Sequence, residues 1–564
     1  TDYNNFAPSI GVNWTPTSSN GVLKTLMGDD GQFAIRAGWT RAYTRNGLND
    51  YSSVFNANPG IRITVNKSES LANMPSNVVL LRNDAQLTPA AFPTTPTYPM
   101  SGLVTDSMNA FADGVKVPYA DTYTAGIQRG ISKNMAFEVR YVGTRSRDSI
   151  TTYNLNGEVN IIENGFITEF KNAQANLQAN IAAGRGATFK YFGAGTGTVA
   201  LPIFQAYFSG VSAANAGNAA LYTSANYTST TFINPLAKYN PNPFTEAANL
   251  AGSGAAAAQR ANAIAAGLPA NFFYTNPDYL GGANITGNGG FTRFNGLQLE
   301  LRRRYADGFQ FQVNYAYGKG YQSTRYSFRV PRLETQLTGA GGDVPHALKA
   351  NIVVDLPFGK GRRFMGDANR FVDLIFGGWQ IAANLRFQTG RLVDFGNVRM
   401  VGFTAADLKN MYKVRHDTSS GTDRVYMLPD ALIQESIKAY SVSASSATGY
   451  GSLGAPSGQY FAPANGPDCI ETIATGYGDC GARTLVMRGP MFQEHDLALV
   501  KSAELVGGAR LEFRVELLNA FNNVNYVPVV GVGSTTLAGY EVTALQGINT
   551  SRQVQLTGRL NWGK

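Results

Sequence analysis

From Gln553 to Trp562, near the end of the chain, two kinds of side chain alternate without a break. Val554, Leu556, Gly558, Leu560 and Trp562 fall on one side, and Gln553, Gln555, Thr557, Arg559 and Asn561 on the other. A period of two predicts a β-strand with one apolar and one polar face. The pattern recurs along the chain. Phe6 to Thr15 aligns Ile10, Val12 and Trp14, and Gln32 to Thr44 aligns Phe33, Ile35, Ala37, Trp39 and Tyr43. Thr122 to Ile131 and Met135 to Ser146 read as a hairpin over Ser132-Lys133-Asn134, with Met135, Phe137, Val139 and Tyr141 opposite Glu138 and Arg140.

The clearest hairpin is Arg293 to Gly320. Leu297, Leu299 and Leu301 alternate with Gln298, Glu300 and Arg302. After the turn Ala306-Asp307-Gly308, Phe309, Phe311, Val313, Tyr315 and Tyr317 oppose Gln310, Gln312 and Asn314. His346 to Pro357, Gly378 to Thr389, Glu494 to Ala503 and Arg510 to Phe521 complete about eleven strands, each near the length a tilted strand needs to cross a bilayer.

Connections alternate between short turns and long polar segments. The long ones include Arg45 to Asp121, Arg147 to Thr292 and Gly390 to Gln493; the short ones include one longer turn, Gly359 to Gly377. Apolar strand faces joined this way predict an all-β, transmembrane antiparallel β-barrel of the bacterial outer membrane. Its long loops are extracellular, its short turns and C-terminus periplasmic. Two aromatic belts fit that placement: Trp14, Tyr305, Phe309, Phe358, Trp379 and Trp562 near periplasmic ends, and Tyr43, Tyr141, Phe294, Tyr317, Phe387 and Phe521 near extracellular ends. Barrels of this class have an even strand number and both termini in the periplasm. Eleven strands that begin and end on a downstroke are therefore expected to be the C-terminal part of a larger barrel. An extra hairpin around Ile61 to Val65 would leave that parity unchanged. Within the longest loop, the apolar spacing of Phe166, Phe170, Ala173 and Leu177 predicts a helix stopping near Gly184, and Gly254 to Ala266 a second. Such helices either cap the barrel mouth or pack the loop.

Composition changes this picture little. The 564 residues are 15% charged and 11% aromatic, with 62 Gly and 3 His. Mean hydropathy is −0.15, the value expected when lumen and loop residues dilute a lipid-facing band. The net charge is +9, yet the basic clusters Arg302-Arg303-Arg304 and Arg362-Arg363 sit at strand ends, without the motifs of a nucleic-acid binder. Cys469 and Cys480 share one polar loop and lack the neighbours of a metal site; they read as a local disulfide, with two free thiols the alternative. No signal peptide opens the chain, although an outer-membrane protein must be exported. No catalytic, cofactor or metal motif is present, so an enzyme is not expected. Arg510, Glu512, Arg514 and Glu516 share a face and read as a charge ladder. The lumen-facing candidates for ligand contact are Glu300, Arg302, Gln310, Gln312, Asn314, Arg386, Arg514 and Glu516.

Several segments carry a family resemblance: YNNFAPSIGVNW (3–14), DTYTAGIQRGISKNMAFEVRYVGTRSRD (121–148), EVNIIENGFITEFKNAQANLQAN (158–180), FNGLQLELRRRYADGFQFQVNYAYGKG (294–320), DVPHALKANIVVDLPFGKGRRF (343–364), GGWQIAANLRFQTGRLVDF (377–395) and RLEFRVELLNAFNNVNYVPV (510–529). In order and spacing they resemble the C-terminal barrel portion of Oar-like TonB-dependent receptors, over nearly the whole chain. The resemblance implies a barrel of about 22 strands, preceded by a signal peptide, a regulatory-like β-sandwich and a plug bearing a TonB box. None of those preceding parts lies within residues 1–564. It implies an active transporter partnered by outer-membrane lipid, a TonB-type energy-coupling complex acting through the plug, and a ligand such as a siderophore, oligosaccharide or peptide. A surface structural or adhesive protein and a passive porin are the alternatives.

Overall fold

The computed structural model describes residues 5–44, 47–56, 58, 108–251, 257–277, 282–323, 334–336, 344–473, 476–505, 508–529, 531–547 and 551–562. The Ile61 to Val65 segment, most of the Arg45 to Asp121 loop and the start of the Gly254 to Ala266 helix lie outside them.

One thirteen-stranded sheet dominates. In chain order its strands are β1 (Ser9–Trp14), β2 (Phe33–Tyr43), β3 (Met108–Phe111), β4 (Tyr119–Ser132), β5 (Met135–Asn154), β6 (Ala283–Ala306), β7 (Phe309–Ser323), β8 (Glu334–Gln336), β9 (His346–Asp355) and β10 (Trp379–Gln388). Five strands lie in or beside loops or small sheets: β11 (Leu392–Val401), β12 (Arg415–Asp417), β13 (Arg424–Tyr426), β14 (Tyr460–Pro463) and β15 (Thr484–Arg488). The large sheet resumes with β16 (Phe492–Glu504), β17 (Arg510–Leu518) and β18 (Gln553–Asn561). Its spatial order, β1-β2-β4-β5-β6-β7-β9-β10-β16-β17-β18, is a sequential meander, antiparallel at every step. These are the eleven strands expected from the alternation. Among the described residues the sheet is open, with β1 and β18 as its edges.

Local chemistry fixes the register. At the β6–β7 turn both Asp307 (φ 55°) and Gly308 (φ 75°) are left-handed, the type I′ geometry whose twist matches the flanking strands. A Cβ on Gly308 would also meet the Asp355 side chain of β9 at 3.1 Å. Register then carries each strand's apolar set to the same side, since a one-residue slip would move all of it. Two of the turns expected to be short carry helices, Gly21–Met27 and Arg370–Phe376. One aromatic was placed wrongly from sequence: Phe294 pairs with Thr144 and so lies on the face opposite Tyr141 and Tyr317. Its ring instead covers Gly296 and Gly318, filling the space their missing side chains leave.

The long connections are folded bodies. Residues 155–251 and 257–277 form a helical unit around a fully buried aromatic core of Phe166, Phe170, Phe189, Phe204, Tyr207 and Phe273. The expected helix is Phe166–Ala182, with Gly184 left-handed just past its end, and the second is Ala257–Ala265. They pack their own loop. Residues 389–473 and 476–491 build a second core around Phe395, Leu408, Ile433 and Phe461, joined by Val532 and Tyr540 of the β17–β18 connection. The two units dock. Lys171 pairs with Asp479 at 2.7 Å, Tyr239 stacks on Tyr450 at 4.4 Å, and Ala444 and Ile470 enter the first core. Cys469 and Cys480, Cα atoms 5.9 Å apart, are joined as a disulfide in the second unit.

Glu169 links two helices of the first unit: its carboxylate accepts the backbone N–H groups of Ile203 and Phe204 at 2.9 and 2.8 Å. Burial nevertheless raises its pKa from an ordinary value of 4.5 to about 7, those two donors opposing the shift. Burial also holds Glu246 well above its usual range, with Asn249 opposing. Between pH ~4.5 and ~7 the folded unit keeps a proton that the unfolded chain gives up. Its stability is thus fullest at the acid side and falls as pH rises to about 7, by about 3 kcal/mol from Glu169. Protease susceptibility of this loop should therefore rise from pH 5 to pH 7.5, and Glu169→Gln should flatten the rise. A wild-type profile that does not change with pH would contradict the assignment.

Candidate functional site: the polar face of the sheet

Strand register gathers the polar side chains into rungs. Gln128, Glu138, Glu300, Asn314, Lys349, Arg386 and Glu494 stand opposite one another on successive strands. The next rung holds Arg302, Gln312, Asn351, Asn384 and Asp496. All eight sequence candidates fall on this one face, but they do not form one cluster. Glu300, Arg302, Gln312, Asn314 and Arg386 are neighbours. Gln310 and Glu516 share a further rung through Val353, Ala382 and Ala498, about 19 Å apart across the sheet. Arg514 belongs with Glu516, at 3.0 Å.

A pocket of about 400 Å³ opens on this face against Glu138, Arg140, Gln298, Glu300, Asn314 and Lys349. Charges in and beside it are largely partnered along single strands. Arg140 Nε donates to Glu138 Oε1 at 3.1 Å, Arg302 approaches Glu300 at 3.8 Å, and Arg386 donates to Gln388 Oε1 at 2.8 and 3.1 Å. Such exposed pairs contribute little stability, about 0–1 kcal/mol each, so a ligand can exchange partners with them cheaply. Lys349 makes no ion pair among the described residues, although it stands between Asn314 and Arg386. Sequence reading placed Glu138 and Arg140 on the polar face without counting them as ligand contacts, and it passed over Lys349. Lys349 sits between Leu348 and Ala350 in an apolar-looking run, and only its even spacing from Asn351 and Val353 marked it as facing the polar side.

The opposite face is apolar and uncovered. At the sheet edges Val12, Trp14, Val554 and Leu556 are 60%, 58%, 61% and 64% exposed. A band this long has no counterpart on a water-soluble surface. It ends in aromatics at both limits: Phe309, Trp379 and Trp562 toward the short turns, and Trp39, Tyr141 and Tyr317 toward the long loops. Among the described residues no helix is long and apolar enough to cross a membrane, which leaves the strands.

A family model described as an outer membrane beta barrel domain matches residues 1–555. The chain belongs to that family. Its apolar face is therefore the lipid-facing wall of an outer-membrane barrel, and its polar face the lumen side. No curated protein matches the chain. Among solved structures, it is similar to the outer membrane transporter YddB from Escherichia coli, at 10% identity and a TM-score of 0.31, with 97% of this chain and 39% of that one covered. It is similar to the ferripyoverdine receptor of Pseudomonas aeruginosa at 7% identity and a TM-score of 0.31, covering 98% and 32%. For the FrpB iron transporter from Neisseria meningitidis the values are 10%, 0.30, 98% and 38%. The chain thus spans less than two fifths of the length of these structures.

Proposed function

We propose that residues 1–564 are the barrel portion of an Oar-like TonB-dependent receptor, which binds a large ligand at its loop end and passes it along the polar face. On this reading the long loops are extracellular and the short turns and C-terminus periplasmic. Further strands complete a barrel of about 22, and a plug supplies TonB-coupled gating. A siderophore, oligosaccharide or peptide is the ligand class. No catalytic step is assigned; of the lumen acids, Glu138, Glu300 and Glu516 are each paired with an arginine.

The observation that carries this reading is the docked loop assembly. Two cored units and the β17–β18 connection join at the end of the lumen face that leads down to the Glu300–Lys349 pocket. A receptor needs such a preformed surface, whereas a passive pore needs only an open mouth. The test is planar-bilayer conductance of the full-length protein from native outer membranes. The expected result is no steady conductance until the plug is unfolded with urea, then wide reversible openings. A steady open channel in the untreated protein would make it a porin. Closure that urea never relieves would favour the surface structural role.

A further inference from the structure

The two helices in the short-turn connections are built the wrong way round for water. Gly21–Met27 lies between β1 and β2, and Arg370–Phe376 between β9 and β10, each seven residues long. Among the described residues neither helix buries any of its own. Isolated helices shorter than about 12–15 residues are marginal in water and owe their stability to an apolar face packed on something. Here the apolar face exists, at helical spacing, but it points away from the protein. Val22, Leu23 and Leu26 are exposed on the first helix, Val22 by 73%, and Phe371, Leu374 and Ile375 on the second, Phe371 by 80%. The polar side is the one turned into the connection. Asp373 Oδ1 accepts the Lys360 N–H at 2.6 Å, and Asn369 Oδ1 accepts those of Phe371 and Val372 at 3.1 and 3.0 Å.

Position decides what meets the exposed faces. Both helices are tied to the lipid-facing side of the sheet at its short-turn end. Arg129, opposite Phe33 on that side, donates from Nε to the Leu26 carbonyl at 2.8 Å. Lys501, opposite Trp379 and Phe513 on the same side, donates to the Gly377 carbonyl and, at 3.5 Å, to that of Asp373. The Trp379 indole N–H donates to the Ile375 carbonyl at 2.8 Å, which sets the second helix at the depth of the aromatic band. Two helices separated by four further strands thus share one construction. An outward side chain holds carbonyls of the last turn, and an apolar stripe continues the lipid-facing wall past its aromatic limit. Charge agrees at the second helix. Its connection carries Lys360, Arg362, Arg363 and Arg370 against Asp367 and Asp373. Arg362 is paired with Asp355 at 3.0 Å. Arg370 is the first residue of the helix, where the backbone dipole disfavours a cation unless an anion is near.

We propose that both helices are interfacial anchors, lying along the phospholipid leaflet at the short-turn end. Their apolar stripes enter the boundary between headgroups and acyl chains, and Arg363 and Arg370 meet the headgroup phosphates. The partner is lipid because the stripes are continuous with the lipid-facing wall, whereas a plug would stand on the lumen side of it. The proposal rests on the outer-membrane assignment but not on transport, and it holds whichever ligand the lumen takes.

The test is spin-label depth measurement on the full-length protein in vesicles of phosphatidylcholine and phosphatidylglycerol. Single nitroxides are placed through Val22→Cys and Phe371→Cys, with Asp30→Cys and Asp367→Cys as controls. The native Cys469 and Cys480 are joined to each other and do not take the label. Oxygen partitions into hydrocarbon and a nickel chelate stays in water. Labels replacing Val22 and Phe371 should show a several-fold higher oxygen-to-nickel accessibility ratio than the controls, placing them roughly 5–10 Å below the headgroup surface. Heat-dependent mobility on gels checks that each variant folds, and either helix tests the proposal if the other variant does not. Nickel accessibility equal to the controls, at either label in a folded variant, overturns the proposal. Shielding from both reagents also overturns it, because a protein surface would then cover the helices. No arm measures uptake or conductance, so a failure here leaves the receptor reading standing, and the reverse also holds.

Discussion

Arginine in place of Val313 should cost the membrane-embedded barrel about 2–4 kcal/mol, while arginine at the next residue, Asn314, should cost less than about 1 kcal/mol. Val313 is the midpoint of β7 between Phe309 and Tyr317, which mark the two aromatic limits, and it stands between Leu301 and Ala350 on the apolar face. A guanidinium there must lie in hydrocarbon or drag water and headgroups inward, and the penalty is largest at mid-depth. Asn314 points the other way, between Glu300 and Lys349, so a new cation gains one neighbour of each sign in a wet lumen. Urea titration of the full-length protein folded into phosphatidylcholine vesicles, followed by heat-dependent gel mobility, measures both variants. Equal penalties at the two positions, or a larger one at Asn314, would invert or abolish the assignment of faces. The comparison is sharp because the two residues share strand, depth and flanking strands, and differ in the side to which the pleat turns them.

That same parity explains what could be read in advance. A membrane strand must satisfy lipid on one side and lumen on the other, so it writes its alternation into the sequence, and all eleven runs became neighbours in one meander. The strand ends were harder. β5 runs to Asn154 and β6 begins at Ala283, well past the alternating stretch, because Thr151, Thr152 and Asn154 pair with Gly287, Thr286 and Asn284 where no face needs to be apolar. Phe294 misled for the same reason, being an aromatic at the right height on the wrong side. The loops hid more. Their cores are assembled from residues far apart in sequence, with short helices and 3₁₀ turns around Tyr222 and Tyr227; Phe166–Ala182 is the longest helix, and the shorter Asp430–Tyr440, with Leu432, Ile433 and Ile437 at helical spacing, was passed over. The candidate site was legible as a face but not as a cluster. Alternation assigns a residue to the lumen, whereas only register shows that Lys349 stands beside Asn314 while Arg514 stands four strands away.

Truncating Phe166 to alanine should destabilise the first loop unit by about 3–5 kcal/mol and leave the sheet intact. The ring is fully buried. It meets Phe273 edge-on at 4.7 Å, Phe204 at 5.7 Å and Phe170 at 6.1 Å, so its removal leaves a cavity among side chains from three separate segments. Those segments are held near one another mainly by this core. The effect should spread to the second unit through Ala444 and Ile470, which share the core, and through the Lys171–Asp479 and Tyr239–Tyr450 contacts. Toward the sheet it should stop. The first unit hangs from β5 and β6 through Leu155 and Ala283, whose backbone hydrogen bond at 2.8 Å closes the strand pair beneath it. Limited trypsin digestion of the full-length protein in vesicles should then cut within 183–281 far faster than in wild type, with Arg185 and Arg260 as available sites, while the band shift between unheated and heated samples is kept. Loss of that shift would mean that loops and strands fold as one cooperative unit. Unchanged digestion would mean that the aromatic core is not what holds the loop. The predicted outcome, a soft loop on a firm sheet, is the arrangement a receptor needs if its binding surface is to reshape around a ligand without opening the membrane wall.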